Sequence, residues 1–325
     1  MCGRYASSRS REELVVEFEI EQDQLDDPRA GEPHYNVAPT DTVPVVLERM
    51  AVPPKEPDEQ SPMPEHLPDD VPENETPARS VQDEADALIT AALMHHEPGA
   101  SIDPEESEAR PVRQLRPLRW GLVPSWSKNA SGGARMINAR LETLLEKGAF
   151  KKAALSRRCL VPADGWYEWQ VSPTAQDAKG KPRKQPFFMS LAEGGGLALA
   201  GIYEFWRDGD LHPDDPAAWL VTFAVITTAA EPGLDTVHDR MPLVLPPERW
   251  KDWLDPAVKD AATVHDLAAG LPTGRFTALP ITSRVNSVRN EGPELLEPAP
   301  ADSLVGVVDP ATGELLGGPG SEQLF

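Results

Sequence analysis

The sequence predicts an α+β protein built on a curved, mainly antiparallel sheet with short flanking helices. Two observations carry that expectation. Short apolar runs rich in β-branched and aromatic residues are numerous, and stretches with helical spacing are few. No convincing internal repeat interrupts this pattern.

The elements follow in chain order. Residues 9–19 read as a helix, with Ser10 as its cap and Glu13 three positions later completing a capping box. Residues 42–48 are an apolar, β-branched run and read as a strand. A short strand over 118–122 enters the turn Pro124-Ser125-Trp126, and helical spacing returns over 141–154. Cys159-Leu-Val161 leads through Pro-Ala-Asp-Gly165 into Trp166-Tyr-Glu-Trp169, which predicts two strands around a tight turn. Further strands are expected over 187–191, 197–203 and 219–227. A short helix is expected over 247–253, and a last pairing between 276–279 and 285–288.

The chain has 325 residues, of which 40% are apolar, enough for one large domain or two small ones. Its 23 glycines and 35 prolines point to long loops or disordered segments. No apolar run reaches membrane-span length and the first residues lack a signal-peptide core, so a soluble, cytoplasmic protein is expected, with no membrane partner. The two cysteines, Cys2 and Cys159, are expected to stay reduced in that compartment.

The net charge of -22 argues, taken whole, against nucleic acid. Its distribution argues otherwise. Residues 51–110 hold 16 Asp/Glu against 3 Lys/Arg and are dense in proline. Such a segment buries too little apolar area to offset its ordering entropy and is expected to be a disordered acidic insertion, with a short amphipathic stretch over 80–94 as the exception. Residues 111–190 reverse the sign, with 15 Lys/Arg against 5 Asp/Glu, and interleave Trp120, Trp126, Phe150, Trp166, Tyr167 and Trp169. A groove for single-stranded nucleic acid needs that mixture, cations for phosphates and rings for bases. A solvated basic face over a tryptophan-rich core has the same composition. The tail from Glu291 is rich in Pro, Gly and acids and is expected to be extended or disordered. Its last residues, Ser321-Glu-Gln-Leu-Phe325, fit chance most simply and a docking peptide for a replication sliding clamp as a minority reading.

Cys2 is the first chemical anomaly. A small side chain at position 2 permits removal of Met1, which leaves an α-amine and a thiol on adjacent carbons. Their reference pKa values, roughly 7.7–8.0 and about 8.5, make both partly available as nucleophiles at neutral pH. An aldehyde can form an imine with the amine, and the thiol can then close a five-membered thiazolidine. Around this cysteine stands an ordered set of motifs: Met1-Cys-Gly-Arg-Tyr5, Tyr35-Asn-Val-Ala-Pro-Thr40, Arg119-Trp-Gly-Leu-Val-Pro-Ser-Trp126, Ile137-Asn-Ala-Arg-Leu-Glu-Thr143, Cys159-Leu-Val-Pro-Ala-Asp-Gly-Trp-Tyr-Glu-Trp169 and Val237-His-Asp-Arg-Met-Pro242. This set resembles the SOS response-associated peptidase (SRAP) family, whose members crosslink to abasic sites. The resemblance covers roughly residues 2–50 and 113–290. It implies an SRAP-like domain over 2–290, interrupted at 51–112 by the acidic insertion, with the tail at 291–325.

The resemblance implies that Cys2 is the nucleophile, that Asn138 positions it and the opened sugar, that Glu168 is the acid/base and that His238 moves protons at the sugar oxygen. It implies that Arg4, Arg140 and Arg240 hold the phosphates beside the lesion, and that Trp126 and Pro39 stack on neighbouring bases. Read on their own residues, Asn138 is equally a turn residue, Glu168 a solvent-facing strand residue, each arginine an ion-pair partner, Trp126 a core residue, Pro39 a turn proline and Cys159 a small core residue. The other histidines read as loop residues, and His95-His96 lacks further ligands at metal-binding spacing. The expected partner is single-stranded DNA containing abasic sites, bound by a monomer that is nucleoid-associated at damage and uses no metal or organic cofactor. Met1 removal by the protein itself and a lyase reaction from the imine complete the implied chemistry. Two other classes compete: a cysteine peptidase acting in trans through Cys2 and His238, and a non-catalytic single-strand binding module.

Overall fold

The computed structural model describes residues 2–50 and 110–316. Residues 51–109, with the amphipathic stretch at 80–94, and the terminal 321–325 lie outside the described residues. The strands are β1 (Tyr5–Ser7), β2 (Gln22–Asp23), β3 (His34–Val37), β4 (Thr42–Met50), β5 (Pro111–Trp120), β6 (Asn138–Arg140), β7 (Arg158–Ala163), β8 (Gly165–Gln176), β9 (Pro182–Leu191), β10 (Leu197–Arg207), β11 (Trp219–Ala229), β12 (Arg240–Pro242) and β13 (Phe276–Pro280). The α-helices are α1 (Arg11–Glu17), α2 (Gly148–Ser156), α3 (Pro247–Leu254) and α4 (Ala261–Ala268).

Five strands form an antiparallel sheet in the order β13-β9-β8-β1-β3. The second sheet runs β12-β11-β10-β7-β4-β5-β2, with β6 beside β11. Strand β11 also pairs in parallel with β5, Thr222 with Arg119 and Phe223 with Trp120, so β4, β5, β11, β10 and β7 close into a small barrel. Closure removes the exposed edges that an open sheet would leave. The fold class is the expected one, α+β on curved, mostly antiparallel sheet.

The strand period of two sorts side chains into two cores. Cys159, Val161, Tyr203, Val225, Val45 and Trp120 face inward and join Cys2, Tyr5, Trp166 and Phe187 of the first sheet in one cluster. Leu160, Ala200, Ile202, Ala224 and Val46 face outward and are covered by Leu14 of α1, Phe150 of α2, Trp253 of α3 and Val264 of α4. Helix α1 starts where its sequence dictates. Ser10 accepts from the Glu13 N–H at 3.2 Å, and Glu13 accepts from the Ser10 N–H at 2.7 Å.

The structure corrects several expectations. The single helix read over 141–154 is a 3-10 turn, Leu141–Thr143, followed by α2 from Gly148. Strands β7 and β8 flank Asp164 but do not pair with each other. β7 joins β10 and β4, whereas β8 joins β1 and β9, so the turn carries the chain from one sheet to the other. Residues 285–288 do not pair with 276–279. β13 pairs with β9, and Ser283–Asn286 is a 3-10 turn. Strand β5 begins at Pro111, inside the range read as the acidic insertion. The chain over 291–316, read as extended or disordered, packs against the first sheet. Leu295, Leu304 and Val307 are buried, and Gln170 holds Val308 by two bonds, Nε2–H to the Val308 carbonyl at 2.9 Å and Val308 N–H to Oε1 at 2.8 Å. Three apolar side chains spaced along a Pro-rich stretch suffice to dock it.

Candidate active site

The first residues enter as the middle of a sheet. Tyr5 pairs with Trp166, and the Tyr167 N–H donates to the Arg4 carbonyl at 3.0 Å, which brings the chain start alongside Glu168. Cys2 is fully buried, and its thiol makes a long contact, 4.0 Å, to the Arg4 carbonyl. Cys159 is also buried in the inner core, and both thiols are free.

Asn138 is delivered by β6. The Ile137 carbonyl accepts both the Trp120 Nε1–H at 2.9 Å and the Val225 N–H at 3.0 Å, and β6 then runs parallel to β11. This fixes the Asn138 amide against the chain start, where Nδ2–H donates to the Cys2 carbonyl at 2.7 Å. Its Oδ1 is buried and has no hydrogen-bond partner among the described residues. The amide therefore holds Cys2 with one end and presents an acceptor with the other.

Glu168 is 3% exposed. The reading of a solvent-facing strand glutamate is thereby excluded. Register explains the burial: Trp166 and Glu168 share a face, the cross-strand neighbour of Glu168 is Phe187, and both rings belong to the inner core. Tyr167, by contrast, belongs to the core on the opposite face, with Trp169 packed against it. Burial raises the Glu168 carboxyl to about 7, and the Asp239 charge pushes in the same direction. The Cys2 thiol is pushed up from its ordinary value, first by burial and then by the Glu168 charge.

His238 follows a 3-10 turn, Leu234–Thr236, whose Leu234 and the next residue Val237 are anchored in the inner core. Its Nδ1 accepts the Arg240 N–H at 3.0 Å and lies 2.9 Å from Asp239 Oδ1. Accepting at Nδ1 fixes the neutral ring as the Nε2–H tautomer, while protonation would turn Nδ1 into a donor to Asp239. Burial lowers the His238 pKa and so favours the neutral form.

Around this centre the sequence candidates divide. Trp126 is 73% exposed on the Pro124 turn, so it is not the core residue its type suggests. Arg140 is exposed at the end of β6, two residues from Asn138. Pro39 sits in a turn closed by the Asp41 N–H to the Ala38 carbonyl at 3.1 Å, with Thr40 at φ 81°, a conformation costly for a β-branched residue. The Trp120 carbonyl accepts the Thr40 N–H at 2.9 Å and helps hold it there. Two arginines are committed to protein groups. Arg4 donates to Asn36 Oδ1 at 2.6 Å and to the Val285 carbonyl at 3.0 Å. Arg240 makes a bidentate pair with Glu142, at 2.7 and 2.9 Å, and also reaches the Thr227 carbonyl at 2.6 Å.

Sequence reasoning passed over Asn36 and Glu142, which hold those two arginines. Both lie inside motifs quoted for other residues, and an amide or acid within an arginine-bearing motif was the available signal. Among the described residues no three His, Cys, Asp or Glu are grouped to hold a metal ion, and no helix is long and apolar enough to cross a membrane.

Comparison with known proteins places this arrangement. The abasic site processing protein YoqW of Bacillus subtilis is 39% identical over 185 residues, covering 57% of this chain and 76% of its own length. The abasic site processing protein YedK of Escherichia coli is 29% identical over 303 residues, covering 92% of this chain and all (100%) of its own. The crystal structure of a phage-related protein from Bordetella bronchiseptica superposes with a TM-score of 0.50 at 26% identity, over 87% of this chain and 95% of that one. The model of the family described as SOS response associated peptidase (SRAP) matches residues 1–288, and the chain belongs to that family.

Proposed function

We propose that this protein captures abasic sites in single-stranded DNA by covalent attachment at Cys2. The observation that carries the reading is the convergence of a carboxyl raised to about 7 and a positioning amide, at 2.7 Å, on a cysteine at position 2. Family membership and relatives named abasic site processing proteins supply the substrate class.

In the proposed sequence Met1 is removed, by the protein itself in the simplest version, which exposes the Cys2 amine. The buried thiol stays protonated at neutral pH, so the amine acts first. It adds to the C1 aldehyde of the ring-opened sugar, and the aldehyde oxygen leaves as water once protonated by Glu168 or His238, giving an imine. The thiol then adds to the imine carbon while its proton passes through Glu168 to the nitrogen, closing a thiazolidine. An imine that escapes ring closure can instead undergo β-elimination, which is a lyase reaction. Asn138 holds Cys2 and offers Oδ1 to the amine or sugar hydroxyl. No metal or organic cofactor is invoked. Arg140 and Trp126 are the exposed contacts for phosphate and base. Pro39 stacks beside them, and Arg4 and Arg240 contact phosphate from positions that Asn36 and Glu142 hold rigid. The partner is single-stranded DNA bound by a monomer in the cytoplasm.

A peptidase acting in trans would need Cys2 as a thiolate, and both burial and the Glu168 charge oppose that state. A passive binding module leaves the buried Glu168 without a purpose that offsets its desolvation.

Intact mass tests the chemistry. The adduct with an abasic oligonucleotide is expected at the sum of the Met1-free protein and the DNA less one water. A mass equal to the free protein after denaturation contradicts covalent capture. Trp126→Ala is expected to weaken non-covalent binding of undamaged single-stranded DNA by about 1–3 kcal/mol without altering the fold, as read by fluorescence anisotropy and thermal melting. Unchanged affinity removes Trp126 from the interface.

A further inference from the structure

The barrel carries a second feature that the lesion chemistry does not use. Arg116, at the centre of β5, points inward with Leu118 and Trp120 and is 8% exposed. Its one hydrogen bond is a 3.5 Å contact from Nη1 to Gln114 Oε1, at the long limit for such bonds. No carboxylate among the described residues forms an ion pair with it. The other buried arginines of the fold are compensated. Arg157 pairs with Glu204 at 2.8 Å, and Arg158 donates to the carbonyls of Trp253, Ala154 and Asp255 at 2.6, 3.0 and 2.6 Å.

A second guanidinium stands nearby. Arg49 is on the inner-facing register of β4, with Val45 and Leu47, and lies over the Phe205 ring at 5.1 Å from the centroid. Phe205 meets Tyr203 edge to face at 5.7 Å. Burial, and then the charge of Arg49, pushes the Arg116 guanidinium down to about 10; Tyr203 and Asp26 act weakly in the opposite direction. Two cations placed to repel each other in a low-dielectric barrel raise the free energy of the fold, and a buried cation without a counter-charge costs several kcal/mol. An anion between them reverses both penalties, and the guanidinium fork suits an oxyanion.

We propose that Arg116 and Arg49, with Gln114 and the Tyr203–Phe205 rings, form a site for a small oxyanion of inorganic phosphate size inside the barrel. The site is separate from the cysteine centre and does not depend on the lesion chemistry. Burial restricts it to a free ion and excludes a phosphodiester within a DNA strand.

The test is thermal unfolding of the full chain in chloride buffer with and without inorganic phosphate at matched ionic strength. At phosphate well above its dissociation constant, unfolding is expected to rise by roughly 3–5 °C in the parent. Arg116→Met is expected to lose that rise while folding at least as stably in chloride, because a buried unpaired charge has been replaced by an apolar side chain. Arg49→Gln, which leaves the buried residue in place, is expected to shrink the rise and serves as the reading should Arg116→Met not fold. No difference between phosphate and chloride in the parent overturns the proposal, as does an equal rise in the parent and in whichever variants fold. A rise that an undamaged single-stranded oligonucleotide competes away also overturns it, since that places the phosphate on the DNA-binding surface.

Discussion

Glu168→Gln is expected to slow adduct formation by about 10²–10⁴-fold, the usual contribution of a positioned acid/base. In the parent the rate is expected to inflect near pH 7, where burial has moved this carboxyl. The variant, neutral at every pH, should lack that inflection. The same residue makes a second, opposite expectation for stability. Glu168 binds its proton more tightly folded than unfolded, so its favourable contribution is complete below the model-compound value of 4.5 and is lost as pH rises through about 7. Above that, the ionised carboxylate costs the fold about 3 kcal/mol by the usual conversion of pKa shift to free energy. Glu168→Gln should therefore melt above the parent at pH 8, with the difference vanishing toward pH 4.5. A variant slower in reaction yet more stable at high pH is the signature of a group kept for chemistry. A slow variant that is also less stable at pH 8 would assign Glu168 to the core instead.

Asn138→Ala removes the 2.7 Å bond to the Cys2 carbonyl and leaves that carbonyl without this donor in a buried setting. Losing such a partner costs about 1–3 kcal/mol, which corresponds to roughly a 5- to 150-fold slower reaction if the bond is retained through the transition state. Single-turnover rates with an abasic oligonucleotide measure it. Asn138→Asp keeps the shape but sets a carboxylate against the carbonyl and is expected to be no faster than the alanine variant. A rate unchanged in both variants would show that β6 positions the backbone alone.

Local signals in the sequence carried much of this. The Ser10–Glu13 capping box placed α1 within two residues of its ends, because both partners lie within one turn. The β-branched runs located β4, β9, β10 and β11 for a similar reason: strand propensity is local. What the sequence withheld depends on pairing. Cys159 to Trp169 reads as a hairpin, yet the two strands join different sheets, since the choice of partner is made by residues far away in the chain. Leu295, Leu304 and Val307 are too widely spaced to mark an element, and their docking depends on a surface that β8 and β9 create. The candidate site divides in the same way. Cys2, Asn138, Glu168 and His238 are conspicuous from motif order. The burial of Glu168 was not legible, because the face of β8 it occupies is set by the Tyr5–Trp166 and Glu168–Phe187 registers. Nor were the partners of Arg4 and Arg240, since side-chain pairs across 32 and 98 residues leave no spacing to read.

The central claim is that Cys2 forms the bond. The direct measurement is a denaturing gel of Met1-free protein incubated with a single-stranded oligonucleotide carrying one abasic site, beside Cys2→Ala treated identically. A shifted band that survives denaturation in the parent and is absent in Cys2→Ala is the predicted result. No band from protein whose first residue is verified as Cys2, or a band of equal intensity in Cys2→Ala, would contradict it.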